Sequence, residues 1–209
     1  DGTAPLGVGF YPDIRLGREA VARRAAERLV RTLFSYTGAF SVRAAKAGAA
    51  EVVAVDTAAK AHARARRNCE LSGFDPNRME IITADASKTL DRFADRQRSF
   101  DLVVCDPPTF SHGPGRPFSA TADLGQLAGK AVTVLAPGGL LAFATNAAKL
   151  SPADVDRAIA EGAAACGHDL RVIERCGLPA DFPVNPGEHE LEVVTLGKAG
   201  VHREIRGQP

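Results

Sequence analysis

Cysteine is scarce and poorly spaced for chemistry: Cys69, Cys105, Cys166 and Cys176 form no C-x-x-C pair and have no histidine at metal-ligand spacing. A disulfide framework and a structural zinc site are therefore not expected, and the thiols read as reduced and mostly packed. Long apolar runs are missing too. No stretch approaches the ~18 residues of a membrane-spanning helix, and the opening DGTAPLGVGF has neither a basic leader nor an apolar signal core. The expectation is a cytoplasmic chain with no membrane partner. Charge of one sign is also lacking, since 26 Lys and Arg face 25 Asp and Glu for a net +1. That is not the balance of a protein holding nucleic acid by bulk electrostatics alone. Glycine-rich phosphate loops are absent as well. Neither G-x-G-x-x-G nor G-x-x-x-x-G-K-[ST] occurs, which argues against NAD, FAD and nucleoside triphosphates.

What is present alternates. Short apolar, partly β-branched runs at 32–36, 52–56, 79–83, 102–106, 140–145 and 170–175 predict strands. Helical patterns lie between them at 40–47, 57–71, 87–96, 120–134 and 152–167, with Ser87 and Ser151-Pro152 as start signals and Gly167 as a stop. A further Arg- and Ala-rich helix, about 17–30, precedes the first strand. Strands joined by crossover helices predict an α/β fold, a Rossmann-like doubly wound parallel sheet. After Arg175 three prolines lead directly into LEVVTLGK, and a strand that follows a strand with no helix between is most simply antiparallel. Six parallel strands plus an antiparallel seventh is the class I architecture associated with methyl transfer from S-adenosylmethionine (SAM). The division expected is a lead-in at 1–31, a catalytic domain at 32–198 and a tail at 199–209. Arg15, Arg18, Arg23, Arg24, Arg28 and Arg31 crowd the lead-in, forming either a basic face or a solvated helix face balanced by Glu19 and Glu27.

Ligands of such sheets collect at the carboxyl ends of the strands. The first turn, LFSYTGAF, has Gly38 as its only glycine, which suits a cofactor without phosphates better than a dinucleotide. Asp56 ends the second strand, 18 residues after Gly38, about where an acid meets ribose hydroxyls. Asp85 follows the third strand and is placed to accept from an adenine amine. Each acid also reads as a helix N-cap. Asp106 closes the fourth strand and is followed at once by Pro107 and Pro108. Two residues that fix φ and donate no hydrogen bond hold the main chain in a turn with free carbonyls, which could face a planar acceptor, with Phe110 stacked on it. The alternative is a proline-rich strand terminator with Phe110 in the core.

FSYTGAF, AVD, NCELSGF, ADASKTL, FDLVVCDPPTFS and LAPGGLLAF, in that order and spacing, resemble the catalytic domain of the class I SAM-dependent methyltransferases that modify bases of large-subunit ribosomal RNA. The resemblance runs from about Gly7 to Lys198. It implies SAM as cofactor, S-adenosylhomocysteine (SAH) as product and RNA as partner. The implied cofactor-binding residues are Asp13 and Arg15 beside the methionine end, the turn Ser35, Tyr36, Thr37 and Gly38, then Asp56 with Thr57, Asp85 with Ala86, and Asp106.

That family holds cytosine-C5 and guanine-N7 enzymes. Carbon 5 is a poor nucleophile, so the cytosine enzymes first add a cysteine thiolate to the ring. Thr145 stands where the resemblance places that thiol, and Cys105 lies in the strand before Asp106, directed into the packing. The guanine enzymes carry asparagines after this strand, one of them matched by Asn146, and a D-P-P-T-F-S that this chain repeats letter for letter. Nitrogen 7 needs neither thiol nor base, so placement can suffice, and a nitrogen acceptor is expected. The chain departs from the family in that 209 residues do not hold an additional RNA-binding domain, and in carrying HGPGRPF where a basic stretch is expected, which implies either a missing RNA-binding domain or partner or a smaller substrate; His112 is a base, a phosphate contact or a solvated loop residue. Loop 111–119 reads as a lid. The competing readings are a methyltransferase of the same fold acting on a small molecule or protein side chain, and a SAM-binding module without turnover.

Overall fold

The computed structural model describes residues 9–111, 118–147, 150–183 and 193–200. Its strands are β1 (Leu29–Leu33), β2 (Glu51–Asp56), β3 (Met79–Thr83), β4 (Phe100–Cys105), β5 (Phe110–Ser111), β6 (Phe118–Ser119), β7 (Leu135–Thr145), β8 (Leu170–Cys176) and β9 (Val193–Ala199). The α-helices are α1 (Arg15–Ala22), α2 (Ala39–Lys46), α3 (Ala59–Leu71), α4 (Ala86–Asp95), α5 (Ala120–Thr133) and α6 (Pro152–Ala165). Seven strands form one sheet in the order β3-β2-β1-β4-β7-β9-β8, and β5 and β6 make a small separate hairpin. β9 runs antiparallel to both β7 and β8. The Rossmann-like doubly wound sheet with an antiparallel seventh strand is therefore formed. No helix among the described residues is long and apolar enough to cross a membrane.

Alternate positions along the strands feed two cores, one on each face of the sheet. Val30, Val52, Ala54, Leu102, Val104 and Leu140 pack on one face with Val21, Phe40, Ala65 and Cys69 of α1 to α3. Leu33, Val55, Val103, Cys105, Leu141 and Phe143 pack on the other with Leu90, Leu124 and Ile159 of α4 to α6. The central strands are buried on both faces, which is why β2 and β4 read as near-continuous apolar runs. Helix α1 is built into this body. A Cβ on Gly17 would stand 2.3 Å from Val194 Cγ2, so only glycine lets α1 lie this close to β9.

The structure departs from the sequence reading mainly at the amino-terminal side. β1 occupies 29–33 rather than 32–36, because parallel pairing aligns Leu29 with Glu51 and Leu33 with Val55. Residues 34–38 leave the sheet, with Phe34 and Tyr36 at φ 56° and 47°. Arg31 disguises the strand by interrupting its apolar run. Helix α1 ends at Ala22, well short of residue 30, and a turn with Glu27 at φ 60° follows. β7 begins at Leu135 instead of 140, its register slipping between Phe100 and Leu102 of β4. Asp85, not Ser87, caps α4, its Oδ1 accepting from the Lys88 N–H at 2.8 Å. The capping box of Ser151 and Asp154 starts α6 as expected, and Gly167 follows it at φ 77°.

The six lead-in arginines do not share one face. Arg23 and Arg24 pair with Glu174 at 2.7 and 2.6 Å, while Arg18 and Arg31 are buried. Arg31 has no exposed surface and no hydrogen-bond partner for Nε or either terminal nitrogen. Its guanidinium lies between Phe93 and Phe100, 3.9 and 4.5 Å from the ring centroids. Burial first, then the nearby charge of Arg98, pushes its pKa down to about 9, so the group is still charged at neutral pH. Stacking on two rings returns ~2 kcal/mol or more each when desolvated, against a desolvation cost of several kcal/mol per ion. Arg31→Leu should therefore raise stability by about 1–3 kcal/mol in urea denaturation, since apolar replacement of a buried ion commonly does so. A fall in stability would mean that the aromatic stacking outweighs desolvation.

Candidate active site

The strand order changes direction between β1 and β4: from β1 the chain steps outward to β2 and β3, and from β4 it steps the other way to β7. A crevice forms at the carboxyl ends of two strands whose connections diverge in this way. The loop after β1 and the D-P-P-T segment after β4 lie on either side of it, tied by the Asp106 N–H donating to the Leu33 carbonyl at 3.4 Å.

The first turn is held from several sides. Gly38 adopts φ 81° ahead of α2, and a Cβ there would come within 3.0 Å of Ala65 Cβ, so backbone freedom and space both call for glycine. Buried Thr37 donates its hydroxyl to the Gly9 carbonyl at 2.6 Å, and Asn68 donates to the Thr37 carbonyl at 2.9 Å. The Tyr36 N–H donates to Asp56 Oδ2 at 2.8 Å, and the Ala58 N–H donates to Oδ1 at 2.9 Å. Asp56 thus ties the turns after β1 and β2 together. A carboxylate has about four acceptor positions, so two N–H bonds leave capacity for hydroxyls. Thr57 beside it is exposed. Asp85 is exposed and caps α4 while Ala86 is buried behind it, so the helix-cap reading of Asp85 is realised. A cap uses one oxygen and leaves the other to a ligand.

His62 was not anticipated. It is buried on α3, with Nδ1 3.0 Å from Thr83 Oγ1 and Nε2 3.5 Å from Ser35 Oγ. Burial lowers its pKa against the pull of Asp56, which keeps the ring neutral between the ends of β1, β2 and β3. Its only signal in the sequence was a histidine on the buried stripe of a helix whose other buried positions are Ala61, Ala65 and Cys69.

Across the crevice, Asp106 is half-buried. Burial, and after it the charge of Asp13, raises its carboxyl to about 7, while Arg18 pulls it back. Asp13 also accepts from the Ile14 N–H at 3.0 Å. Arg18 donates to the Tyr11 carbonyl at 2.6 Å, and its own pKa is lowered by burial against the charges of Asp13 and Asp106. Two acids against one buried guanidinium leave this end of the crevice short of positive charge. Arg15 pairs with Asp181 at 2.5 Å. Pro107 is buried and Pro108 exposed. Thr109, which the sequence reading left without a role, donates to Asn146 Oδ1 at 2.5 Å and so links the D-P-P-T turn to the end of β7. The backbone of Phe110 begins the β5 hairpin, but its side chain, His112 and most of loop 111–119 lie outside the described residues.

No thiol is placed to attack. Cys105 is fully buried and its pKa is driven far up by burial and by Asp106, so a thiolate there is suppressed. Thr145 is buried too, its hydroxyl accepting from the Ala147 N–H at 3.2 Å. Cys69 and Cys176 are buried, and Cys166 alone among the four is exposed. Titration of the native chain with an aromatic disulfide reagent should give one rapid thiol, abolished by Cys166→Ser, with the other three appearing only on unfolding.

Comparison with known proteins agrees with this geometry. The sequence profile of the S-adenosylmethionine-dependent methyltransferases matches residues 4–194. The ribosomal RNA large subunit methyltransferase I of Aeromonas salmonicida is 33% identical over 176 residues, which is 84% of this chain and 44% of that protein. Its counterpart from Klebsiella pneumoniae strain 342 is 34% identical over the same shares. The chain spans about half the length of the curated relatives it matches. A methyltransferase crystallised with SAH superposes with a TM-score of 0.85 at 28% identity, over 93% of this chain and 51% of that one. The SAM-dependent methyltransferase of Agrobacterium tumefaciens gives 0.71 at 26%, over 91% and 63%. SAM carries a sulfonium and an ammonium against one carboxylate, and that net positive charge suits the acid-rich end of the crevice. With that fit and a profile spanning nearly its whole length, the chain belongs to the S-adenosylmethionine-dependent methyltransferase family.

Proposed function

We propose that this chain is the catalytic part of an enzyme that transfers a methyl group from SAM to a base of large-subunit ribosomal RNA, at a ring nitrogen such as guanine N7. The observation that carries the choice of atom is the lack of an available thiol. The position matched to the cytosine enzymes' nucleophile holds Thr145, buried and engaged with the Ala147 N–H, and Cys105 is packed away from the crevice. Support for RNA comes from the names of the relatives, which are ribosomal RNA methyltransferases.

In this reading Asp56, with Thr57, holds the ribose, and Asp85, with Ala86, faces the adenine. Ser35, Tyr36, Thr37 and Gly38 line the turn between them, and Asp13 and Arg15 take the amino-acid end. When bound, SAM supplies an electrophilic methyl on a sulfonium. Asp106 sets the local charge for that cation. Pro107 and Pro108 fix the turn, and Thr109 and Asn146 present polar atoms along the edge where a base would lie. Phe110 is assigned to stack on that base. Nitrogen 7 attacks with its own lone pair, so orientation is the main contribution asked of the protein, and it can supply ~7–11 kcal/mol of the barrier.

Two measurements test this. Undermodified 23S ribosomal RNA incubated with the chain and labelled SAM should yield 7-methylguanosine by nucleoside mass spectrometry. New 5-methylcytidine would overturn the nitrogen assignment, and label confined to small molecules or protein would transfer the chemistry to those substrates. The second concerns Asp106. Its raised pKa means that a cationic ligand must first draw off a proton below about pH 7. The affinity for SAM should therefore rise with pH up to about 7 and level off above, by at most about tenfold per pH unit. Asp106→Asn should flatten the profile and lower turnover; an unchanged slope in that variant would assign the pH dependence to another group.

A further inference from the structure

The lead-in segment presents aromatic surface at the mouth of the crevice. Phe10 and Tyr11 are 50% and 49% exposed, adjacent in sequence and apart from the chain's apolar cores. Isolated exposed apolar residues need no explanation, but neighbouring aromatics on a functional cleft do. The chain has two tyrosines, and both stand here, with the rings of Tyr11 and Tyr36 6.0 Å apart and tilted by 47°. Tyr36 is the residue whose N–H is held by Asp56.

One side of this surface is fixed from below. The buried Arg18 guanidinium lies 4.4 Å from the centroid of the Phe10 ring and donates to the Tyr11 carbonyl. The same Arg18 feels the charges of Asp13 and Asp106. Phe10 is thus a ring with a cation against one face and half its surface open to water, in contact with the side chain that also reaches the acid-rich end of the crevice. A preorganised, half-exposed aromatic face suits stacking of a planar ring, and every nucleobase offers one.

We infer that Phe10 and Tyr11 form a stacking ledge for an unpaired base of the RNA substrate at the rim of the site. The assignment rests on the RNA reading above and adds to it a contact made by the lead-in rather than by the D-P-P-T-F segment. It supplies RNA affinity through ring stacking, which asks little of a chain whose net charge is only +1.

The test uses the full chain with a fluorescein-labelled short oligouridylate, followed by anisotropy, and SAH followed by calorimetry. Phe10→Ala should weaken the oligouridylate by roughly tenfold, within the span found for single base–aromatic contacts, and leave SAH affinity unchanged. Phe10→Trp should retain binding, and Phe10→Leu, which keeps apolar bulk without a ring, should behave like alanine. A matched abasic oligomer should be indifferent to all three substitutions. Unchanged oligouridylate affinity in Phe10→Ala overturns the ledge, and a parallel loss of SAH binding assigns the ring to the cofactor pocket instead. A wild-type chain that binds SAH but neither binds nor labels RNA would overturn the RNA reading itself, and the ledge with it.

Discussion

Asp106 is a carboxylate half-buried beside the charge of a second acid, Asp13, at one end of the crevice. Asp106 arrives there because β4 ends beside β1 at the point where the strand order diverges, and Asp13 because α1 is docked on the sheet through Gly17. Burial first, and then the charge of Asp13, raises the Asp106 carboxyl to about 7, with buried Arg18 offsetting only part of it. A group that titrates so far above its usual range marks a site prepared for charge that the protein does not itself provide. The lead-in is therefore part of the site. In the proposed reading it contributes an acid, a cation and an aromatic rim, while the strand ends would take the adenosine side.

Much of the fold was legible because its logic is periodic. β2, β3 and β4 announced themselves as short apolar runs, and the proline-rich link with no helix between the last two strands gave the antiparallel insertion, now seen as β9 between β7 and β8. What hid was decided by pairing instead of composition. β1 carries Arg31 in its middle, and a buried guanidinium stacked between two phenylalanines looks from the sequence like a surface residue. The early end of α1 was hidden for a related reason: its Arg- and Ala-rich pattern continues past Ala22, and only the turn at positive φ stops it.

The site was legible where function and turn chemistry coincide. Asp56 and Asp106 sit at strand ends and Gly38 at the start of α2, in positions that the α/β architecture itself singles out. The sequence could not show which partners each acid had already taken. Asp56 serves two backbone N–H groups and Asp85 caps a helix, so each side chain proposed to meet the cofactor already carries a structural role. Contacts between distant segments were invisible for the same reason. His62 meets Thr83 and Ser35, Thr109 meets Asn146, and Arg18 meets Phe10, and no spacing rule joins these pairs.

The placement of β9 has a bearing on how the chain comes to be folded. Among the described residues β8 has no sheet partner other than β9, yet β9 follows it in the chain. While a ribosome is still delivering it, β7 presents an open edge and β8 cannot join the sheet at all. Gly17 and Val194 are in contact although nearly the whole chain separates them, so α1 too lacks its full seat until that moment. The acid-rich half of the crevice is thus completed late, and a nascent chain would pass through a stage with the turns after β1 and β2 assembled and the acid-rich end still open.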